Sequence, residues 1–403
     1  MWESKIQTDQ VFELRCKTTV YFGAGAINKI SDIADYLKNH DIKRVLIVTD
    51  EIVYKVTGAW EVIEPVFKQK GISCEIYTGV VANPTVDNID AAAKMGKAHG
   101  SQAVIGIGGG SPIDVAKSVA ILLKNTGKSA RELYELTFQP EQAVPIIAIN
   151  TTHGTGTEVD RFAVASIPEK DYKPAIAYDC IYPLFAIDDP MLMLKLPPNQ
   201  TRYVSVDAVN HVTEAATSLA ASPYTMLTAQ ETVRLVAKYL PQVLDNPEDI
   251  TARYYLLYAS AIAGICFDNG LLHFTHALEH PLSGLKPELA HGLGLSMLLP
   301  AVVKHIYPAV PEILATIYQP IVPGLKGIAL ESEQCAIGIE KWLFSVGIKS
   351  KLQDEGYTKQ DVDKLTKLAL TTPSLDTLLS VAPIEATEQT IRTIYDESFK
   401  PIA

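Results

Sequence analysis

The strongest constraint on the fold comes from short strand-like runs in the first half of the chain and their disappearance in the second. RVLIVT (44–49) is almost continuously apolar, as a parallel strand covered on both faces should be. SCEIYT (73–78), QAVIGI (102–107) and VPIIAIN (144–150) are three further runs of strand type, with helix-like stretches such as 88–100 and 112–124 between runs. Strand–helix–strand order predicts a doubly wound α/β domain. After Leu196-Pro197-Pro198 the pattern changes. From Thr201 on, apolar residues recur at helical spacing, for example over 225–244 and 254–268, and strand signals nearly vanish. This predicts an all-helical second domain. The boundary is placed near Pro198, giving an α/β domain over 1–198 and a helical domain over 199–403, with the cleft between them as the expected ligand site.

Composition narrows the function. A chain of 403 residues with 47% apolar and 20% charged residues has enough apolar side chain to order itself as a globular protein of two domains. A net charge of −11 argues against a nucleic-acid surface, which needs a basic face, and against docking on anionic lipid. Cys16, Cys74, Cys180, Cys266 and Cys335 are scattered and form no C-x-x-C pair, so free thiols in a reducing compartment are expected. The start, Met1-Trp2-Glu3-Ser4-Lys5, has no apolar signal core, and no apolar run approaches the roughly 18 residues that span a bilayer. A cytoplasmic location is the expectation.

Gly106-Ile107-Gly108-Gly109-Gly110-Ser111-Pro112-Ile113-Asp114 follows a strand and opens a helix. Glycines there permit a sharp turn and let a pyrophosphate approach the backbone amides. Ser111 reads as the N-cap, Pro112 as a first-turn residue and Asp114 as the acid of a capping-box-like arrangement. The motif departs from G-x-G-x-x-G at Ser111, and no Gly-Lys-Ser/Thr follows. Asp50 ends the RVLIVT run. It fits a ribose-binding acid that would repel a 2′-phosphate, or equally an ordinary helix N-cap. In the usual dinucleotide fold such an acid follows the glycine loop; here it precedes it, so a different strand order is required. The loop 150–158, NTTHGTGTE, suits phosphates or a nicotinamide amide, or a polar loop that caps a helix.

The helical half carries the metal signal. Asp207 and His211 stand at i and i+4, as do His276 and His280, and His291 follows after a Pro/Gly-containing connection. Residues four apart share a helix face. Of nine histidines, His273, His276, His280 and His291 fall within one short stretch. Imidazoles with a carboxylate suit Fe²⁺ or Zn²⁺ rather than Ca²⁺. Neither H-E-x-x-H nor G-x-S-x-G is present.

With these motifs in order, the chain resembles the iron-containing (group III) alcohol dehydrogenase family over nearly its whole length. The resemblance is carried by Thr19-Val20-Tyr21-Phe22-Gly23-Ala24-Gly25, Asp50, Asn83-Pro84-Thr85, GGGSPIDVAK (108–117), TTHGTGTEV (151–159), Ala186-Ile187-Asp188-Asp189-Pro190, DAVNHVTEA (207–215), HALEHPL (276–282) and His291-Gly292. It implies an N-terminal dinucleotide-binding α/β domain and a C-terminal helical metal domain, the dehydroquinate synthase-like architecture. It implies Asp207, His211, His276 and His291 as ligands of one divalent metal. Gly108, Gly109, Gly110, Ser111 and Asp114 would hold the pyrophosphate of NAD(H), and Thr151, Thr152 and Thr155 would line the cofactor. Lys173 would lie near its ribose, and Asp50 would favour NAD over NADP. A homodimer or larger assembly is also implied.

The expected reaction is metal- and NAD(H)-dependent interconversion of a short-chain aldehyde and a primary alcohol, the cation acting as Lewis acid and the nicotinamide exchanging hydride. His280 is the candidate for relaying the alcohol proton, or alternatively a hydrogen-bonding neighbour of the ligands. Departures from the family pattern include His153, Asp160, His273, Ala290 and Ala382-Pro383-Ile384. His153, Arg161 and His273 could give the pocket positive potential for an aldehyde bearing a carboxylate, sulfonate or phosphonate; otherwise Arg161 pairs with Asp160 or Glu158 and the histidines are packing groups. The competing readings are a glycerol dehydrogenase- or dehydroquinate synthase-like enzyme of the same fold, and a catalytically silent binding protein.

Overall fold

The computed structural model describes residues 2–5 and 11–402. Met1, residues 6–10 and Ala403 lie outside it, and with them part of the N-terminal stretch read above for a targeting signal.

The first half runs β1 (Thr19–Phe22), α1 (Ile30–Asn39), β2 (Arg44–Val48), α2 (Val53–Val56), α3 (Ala59–Lys70), β3 (Ser73–Tyr77), α4 (Val86–His99), β4 (Ala103–Gly108), α5 (Gly110–Lys124), α6 (Ala130–Tyr134), β5 (Ile146–Asn150), β6 (Phe162–Val164), β7 (Ala175–Ala177) and β8 (Phe185–Asp188). Six of these strands form one sheet in the order β1-β8-β5-β4-β2-β3, and every pairing in it is parallel. β6 and β7 form a separate antiparallel pair. The central strands β4 and β5 are buried along their whole length, because helices cover both faces. Val86, Ile89, Val115 and Val119 from α4 and α5 pack on one side; Ile30, Ile33, Ile63 and Phe67 from α1 and α3 pack on the other. The strand-like runs of the sequence reappear as β2, β3, β4 and β5. β1 and β8, four residues each, pair at the far side of the sheet and were not foreseen as strands.

The second half is wholly helical among the described residues: α7 (Pro198–Thr217), α8 (Pro223–Asp245), α9 (Ile250–Gly270), α10 (Phe274–Leu285), α11 (His291–Ile306), α12 (Pro311–Ile317), α13 (Ser332–Ser345), α14 (Val362–Thr371), α15 (Leu375–Ser380) and α16 (Glu388–Glu397), with one short 3-10 turn before α13. Pro198 opens α7 as its first residue, where a fixed φ is already helical and the missing N–H is not needed. α9 is, by length and composition, apolar enough to cross a membrane, which the sequence reading did not anticipate, and most of its apolar stretch is buried. It packs against α7 and α8, so its apolarity is that of a core helix.

The two halves meet with no side chain between them at several points, Gly156 against Gly264 among them. Gly156 adopts φ +65, and a Cβ built on Gly264 of α9 would stand 2.5 Å from the Gly156 carbonyl oxygen. Backbone cannot swing aside as a flexible side chain can. Gly264→Val should therefore destabilise the protein by about 3 kcal/mol, read as a lowered urea midpoint, while a change of similar size at an exposed α9 position such as Tyr258→Val leaves that midpoint close to wild type.

Candidate active site and metal centre

Parallel pairing brings the C-terminal ends of the strands to one edge. From β2 the chain goes on to β3 on one side; from β4 it goes on to β5 on the other. The crevice between β2 and β4 is thus a topological switch point, where open α/β sheets bind ligands. Asp50 follows β2 and the glycine loop follows β4, so the acid that precedes the loop in sequence stands beside it in space. This is the altered strand order that the sequence required. Asp50 Oδ1 accepts from the N–H groups of Ile52 and Val53, at 2.8 and 2.7 Å. One oxygen therefore caps the following turn.

The loop differs from expectation in detail. The helix α5 begins at Gly110, with Gly109 rather than Ser111 as N-cap and no side-chain cap. Ser111 and Pro112 lie inside the first turn. Asp114 does not cap; its carboxylate accepts from Thr157 Oγ1 at 2.7 Å and from the Val164 N–H at 2.9 Å. The opening amides of α5 are thus left without a side-chain cap, the arrangement that receives phosphate oxygens. Thr152 and Thr155 pack where Cβ atoms on Gly109 and Gly110 would sit, at 2.8 and 2.9 Å. Thr151 donates its N–H to Gly108 O at 3.0 Å. The Thr155 hydroxyl is buried without a protein partner and faces the cleft.

Across the cleft, α7, α10 and α11 converge. A Cβ on Gly292 would stand 2.2 Å from the Tyr203 carbonyl oxygen, so α11 starts flush against α7 and brings His291 toward Asp207. Ligand atoms of Asp207, His276 and His291 all lie within 4.8 Å of one another. His211 stands just outside this tightest triplet. Its Nε2 is 3.3 Å from Asp207 Oδ1, as His276 Nε2 is at 3.6 Å from the same oxygen, and its ring stacks on His276. Those spacings are close to the edge of roughly 3.4 Å expected for a tetrahedron of N and O donors around zinc-like bonds. Asp207 Oδ1 and His276 Nε2 are buried and have no hydrogen-bond partner. Orphaned donors aimed at one point fit a divalent cation.

Two acids that the sequence reading passed over complete the centre. Glu214 Oε2 is 3.2 Å from His276 Nδ1, and Glu279 Oε2 takes a short hydrogen bond from His291 Nδ1. Each carboxylate occupies one ring nitrogen and leaves the other free for a metal. Both are fully buried. The available signal was an acid seven residues after Asp207 and another three after His276, each inside an apolar helix, where an acid is rarely buried without a partner. Burial would push His276 down, but Glu214 and Asp207 raise it to about 9. Burial takes His211 to about 4, with Asp207 opposing. Burial would raise Glu214 and Glu279, yet the facing imidazoles hold both below the usual carboxylate range. A cation held here would take the place of a proton on His276 Nε2.

The remaining candidates divide. His280 lines the cleft with an unpartnered Nδ1; burial first, then the Lys173 charge, push its pKa well below the ordinary histidine value, so it is neutral. His153 and His273 must be corrected: neither reaches the cleft. His153 is buried between Arg253, at 2.8 Å, and Ser205, at 3.2 Å, and burial drives its pKa to about 3. His273 caps α10 by accepting the Phe274 N–H and is within 2.9 Å of Thr217 Oγ1. Arg161 does face the cleft but is balanced by Asp179 at 3.0 Å and Asp268 at 3.4 Å. Asp160 pairs instead with Lys117 at 2.8 Å. Lys173 lines the cleft, and its ammonium is engaged by Asn83, Ser283 and Glu279 beside His291. A cavity of about 500 Å³ joins these parts; its lining includes Gly110, Ser111, His276, His280, His291, Phe162, Phe267 and Leu272.

Residues 17–190 match the model for "Iron-containing alcohol dehydrogenase" and residues 201–399 the model for "Fe-containing alcohol dehydrogenase family, C-terminal". The chain is 64% identical over 399 residues to the long-chain primary alcohol dehydrogenase AdhA of Thermoanaerobacter ethanolicus, covering 99% of this chain and 100% of that one. Among solved structures it is similar to NADH-dependent butanol dehydrogenase A of Thermotoga maritima, with a TM-score of 0.88 and 27% identity over 97% of this chain and 99% of that one. It is also similar to sulfoacetaldehyde reductase of Bifidobacterium kashiwanohense in complex with NAD⁺, with a TM-score of 0.81 and 25% identity over 96% and 98%. On the fold, the metal centre and these matches together, the chain belongs to the iron-containing alcohol dehydrogenase family, and it is an oxidoreductase of alcohol dehydrogenase type that uses NAD(H) and a metal.

Proposed function

We propose that this enzyme interconverts primary alcohols and aldehydes whose chains are neutral and apolar. The observation that carries this reading is the apolar part of the cavity lining. It includes Phe162, Phe267, Leu271, Leu272 and Leu378. The one guanidinium of the lining, Arg161, is already balanced by two carboxylates, and the two histidines offered for an anion lie elsewhere. Lys173, the other cation of the lining, is paired with Glu279, so an anionic head group would find no unpaired cation there, whereas an alkyl chain would gain by desolvation. Leu271 holds φ +64, an expensive backbone for a leucine; strain of that kind collects at functional sites. The similarity to a long-chain primary alcohol dehydrogenase and a butanol dehydrogenase supports the same substrate class.

In this reading Asp207, His211, His276 and His291 hold the divalent cation, Fe²⁺ or Zn²⁺. The cation supplies Lewis-acid polarisation of the substrate oxygen, and NAD(H) supplies or accepts the hydride. Glu214 and Glu279 hold His276 and His291 in the tautomer that presents a lone pair. The amides that open α5 receive the pyrophosphate, and the free oxygen of Asp50 receives the ribose hydroxyls. The Thr155 hydroxyl, lacking a protein partner, is available to the cofactor. Asp114 contributes indirectly, by fixing Thr157 and Val164 at the cleft. His280, neutral and facing the cleft, takes the alcohol proton during oxidation and returns it during reduction. Phe162 and Phe267 keep bulk water from the reacting carbon.

With Fe²⁺-loaded protein and NADH, kcat/KM for straight-chain aldehydes should rise about fourfold per added methylene until the cavity is full. Carboxylate- or sulfonate-bearing aldehydes of equal length should trail them; a preference for the anionic series would overturn the substrate assignment. His276→Ala should lose bound metal and turnover yet still quench NADH fluorescence on binding, and retained metal in the purified variant would remove His276 from the ligand set. Asp50→Gly should narrow the preference for NADH over NADPH by at least about tenfold, since an anion opposite the 2′-phosphate is removed; an unchanged ratio of kcat/KM values would argue against the ribose role.

A further inference from the structure

Behind His291 lies a buried polar cluster that the reading above leaves without a task. Lys173 Nζ donates to Asn83 Oδ1 and to Ser283 Oγ, both at 2.8 Å. It stands 3.4 Å from Glu279 Oε2 and 3.4 Å from His291 Nδ1. Asn83 is held in the left-handed region at φ +50, and its side-chain amide donates to the carbonyls of Pro287 at 2.8 Å and Leu289 at 2.9 Å. Those carbonyls belong to the connection that delivers His291. The segment carrying Lys173 is seated flush on α10, because a Cβ on Gly284 would stand 2.5 Å from the Asp171 carbonyl oxygen. Lys173 and Asn83 come from the first half of the chain; apart from each other, the groups they hold here come from the second.

Glu279, His280 and His291 make a second convergent set of possible ligand atoms. The Lys173 ammonium already lies against two of its three members, so the set has its cation built into the chain.

We infer that Lys173 and Asn83 are positioning residues for the metal ligand His291, an inference that rests on the metal assignment proposed above. The ammonium fixes the Glu279 carboxylate, which accepts the Nδ1–H of His291 and directs Nε2 at the cation. Asn83 fixes the connection from which His291 starts. The α/β half thereby sets a ligand that the helical half supplies, and metal affinity depends on how the two halves are packed. This role differs from a ribose contact, which would act on the cofactor and leave the metal alone.

The test uses the full-length protein loaded with Co²⁺. Its affinity is measured by competition with a chromogenic chelator and its geometry by the visible ligand-field bands. Lys173→Met and Asn83→Ala should each weaken Co²⁺ binding by about 10- to 100-fold and alter the bands, and both effects should appear with NADH absent. Because Lys173 acts through Glu279, adding Lys173→Met to Glu279→Gln should weaken binding little further than Glu279→Gln alone. Should Lys173→Met fail to fold, Asn83→Ala carries the same expectation. Unchanged Co²⁺ affinity and bands in a folded variant, or additive losses in the double variant, would overturn the inference while leaving the metal assignment in place. Wild-type protein that binds no Co²⁺ would overturn both.

Discussion

The structure depends on placing four imidazoles and three carboxylates in one dry space without leaving a net charge stranded there. Asp207, Glu214 and Glu279 are buried beside His211, His276, His280 and His291. An ion so far from water is tolerable only when it is paired and its remaining atoms are satisfied. The pairing is achieved by geometry. α7 carries Asp207, His211 and Glu214 on adjacent turns, α10 carries His276, Glu279 and His280, and α11 opens with His291. Each outer acid occupies the nitrogen that a metal does not use. The inward-facing set has imidazoles alone to offset Asp207, and a divalent cation held there would offset more of the cost of burying it. The rest of the helical half can be seen as the apolar casing that makes this pairing necessary.

The α/β half answers a different constraint. Its parallel sheet collects strand ends at one edge, and the split of connections at β2 and β4 opens a crevice there. The hydroxyls and glycines of 150–158 then pass from the end of β5 across to the helical half, where Gly156 meets Gly264 backbone to backbone. The dinucleotide crevice and the metal centre are thereby set against each other across one cavity. Hydride transfer needs that apposition more than it needs any single side chain.

Much of this was legible in the sequence, and the limits have physical reasons. The i,i+4 pairs on α7 and α10 were readable because helix geometry fixes which residues share a face. So was the glycine loop, since three successive glycines after a strand have few other uses. His153 and His273 were misplaced because spacing alone does not say which way a lone imidazole points; one turned toward Arg253 and the other toward its own helix end. Glu214 and Glu279 were overlooked because an acid three or seven residues from another polar group resembles an ordinary solvent-facing position until its burial is known. The order of Asp50 and the glycine loop looked anomalous in one dimension and resolves once β2 is seen lying beside β4. The cap moved from Ser111 to Gly109 because the glycines let the helix begin earlier than a serine-capped turn would.

The two oxygens of Asp50 lead separate lives. One is committed to the turn that starts α2; the other is the oxygen proposed for the ribose hydroxyls. Under the proposed ribose role, cofactor preference and local folding share a single side chain, and selection on one is felt by the other. A lineage drifting toward a phosphorylated cofactor would be steered to asparagine or serine here, residues that still cap a turn while carrying no charge, rather than to glycine or alanine. For protein engineering, the useful library at this position is small, and its members are ranked by how well they end a strand before they are ranked by what they bind.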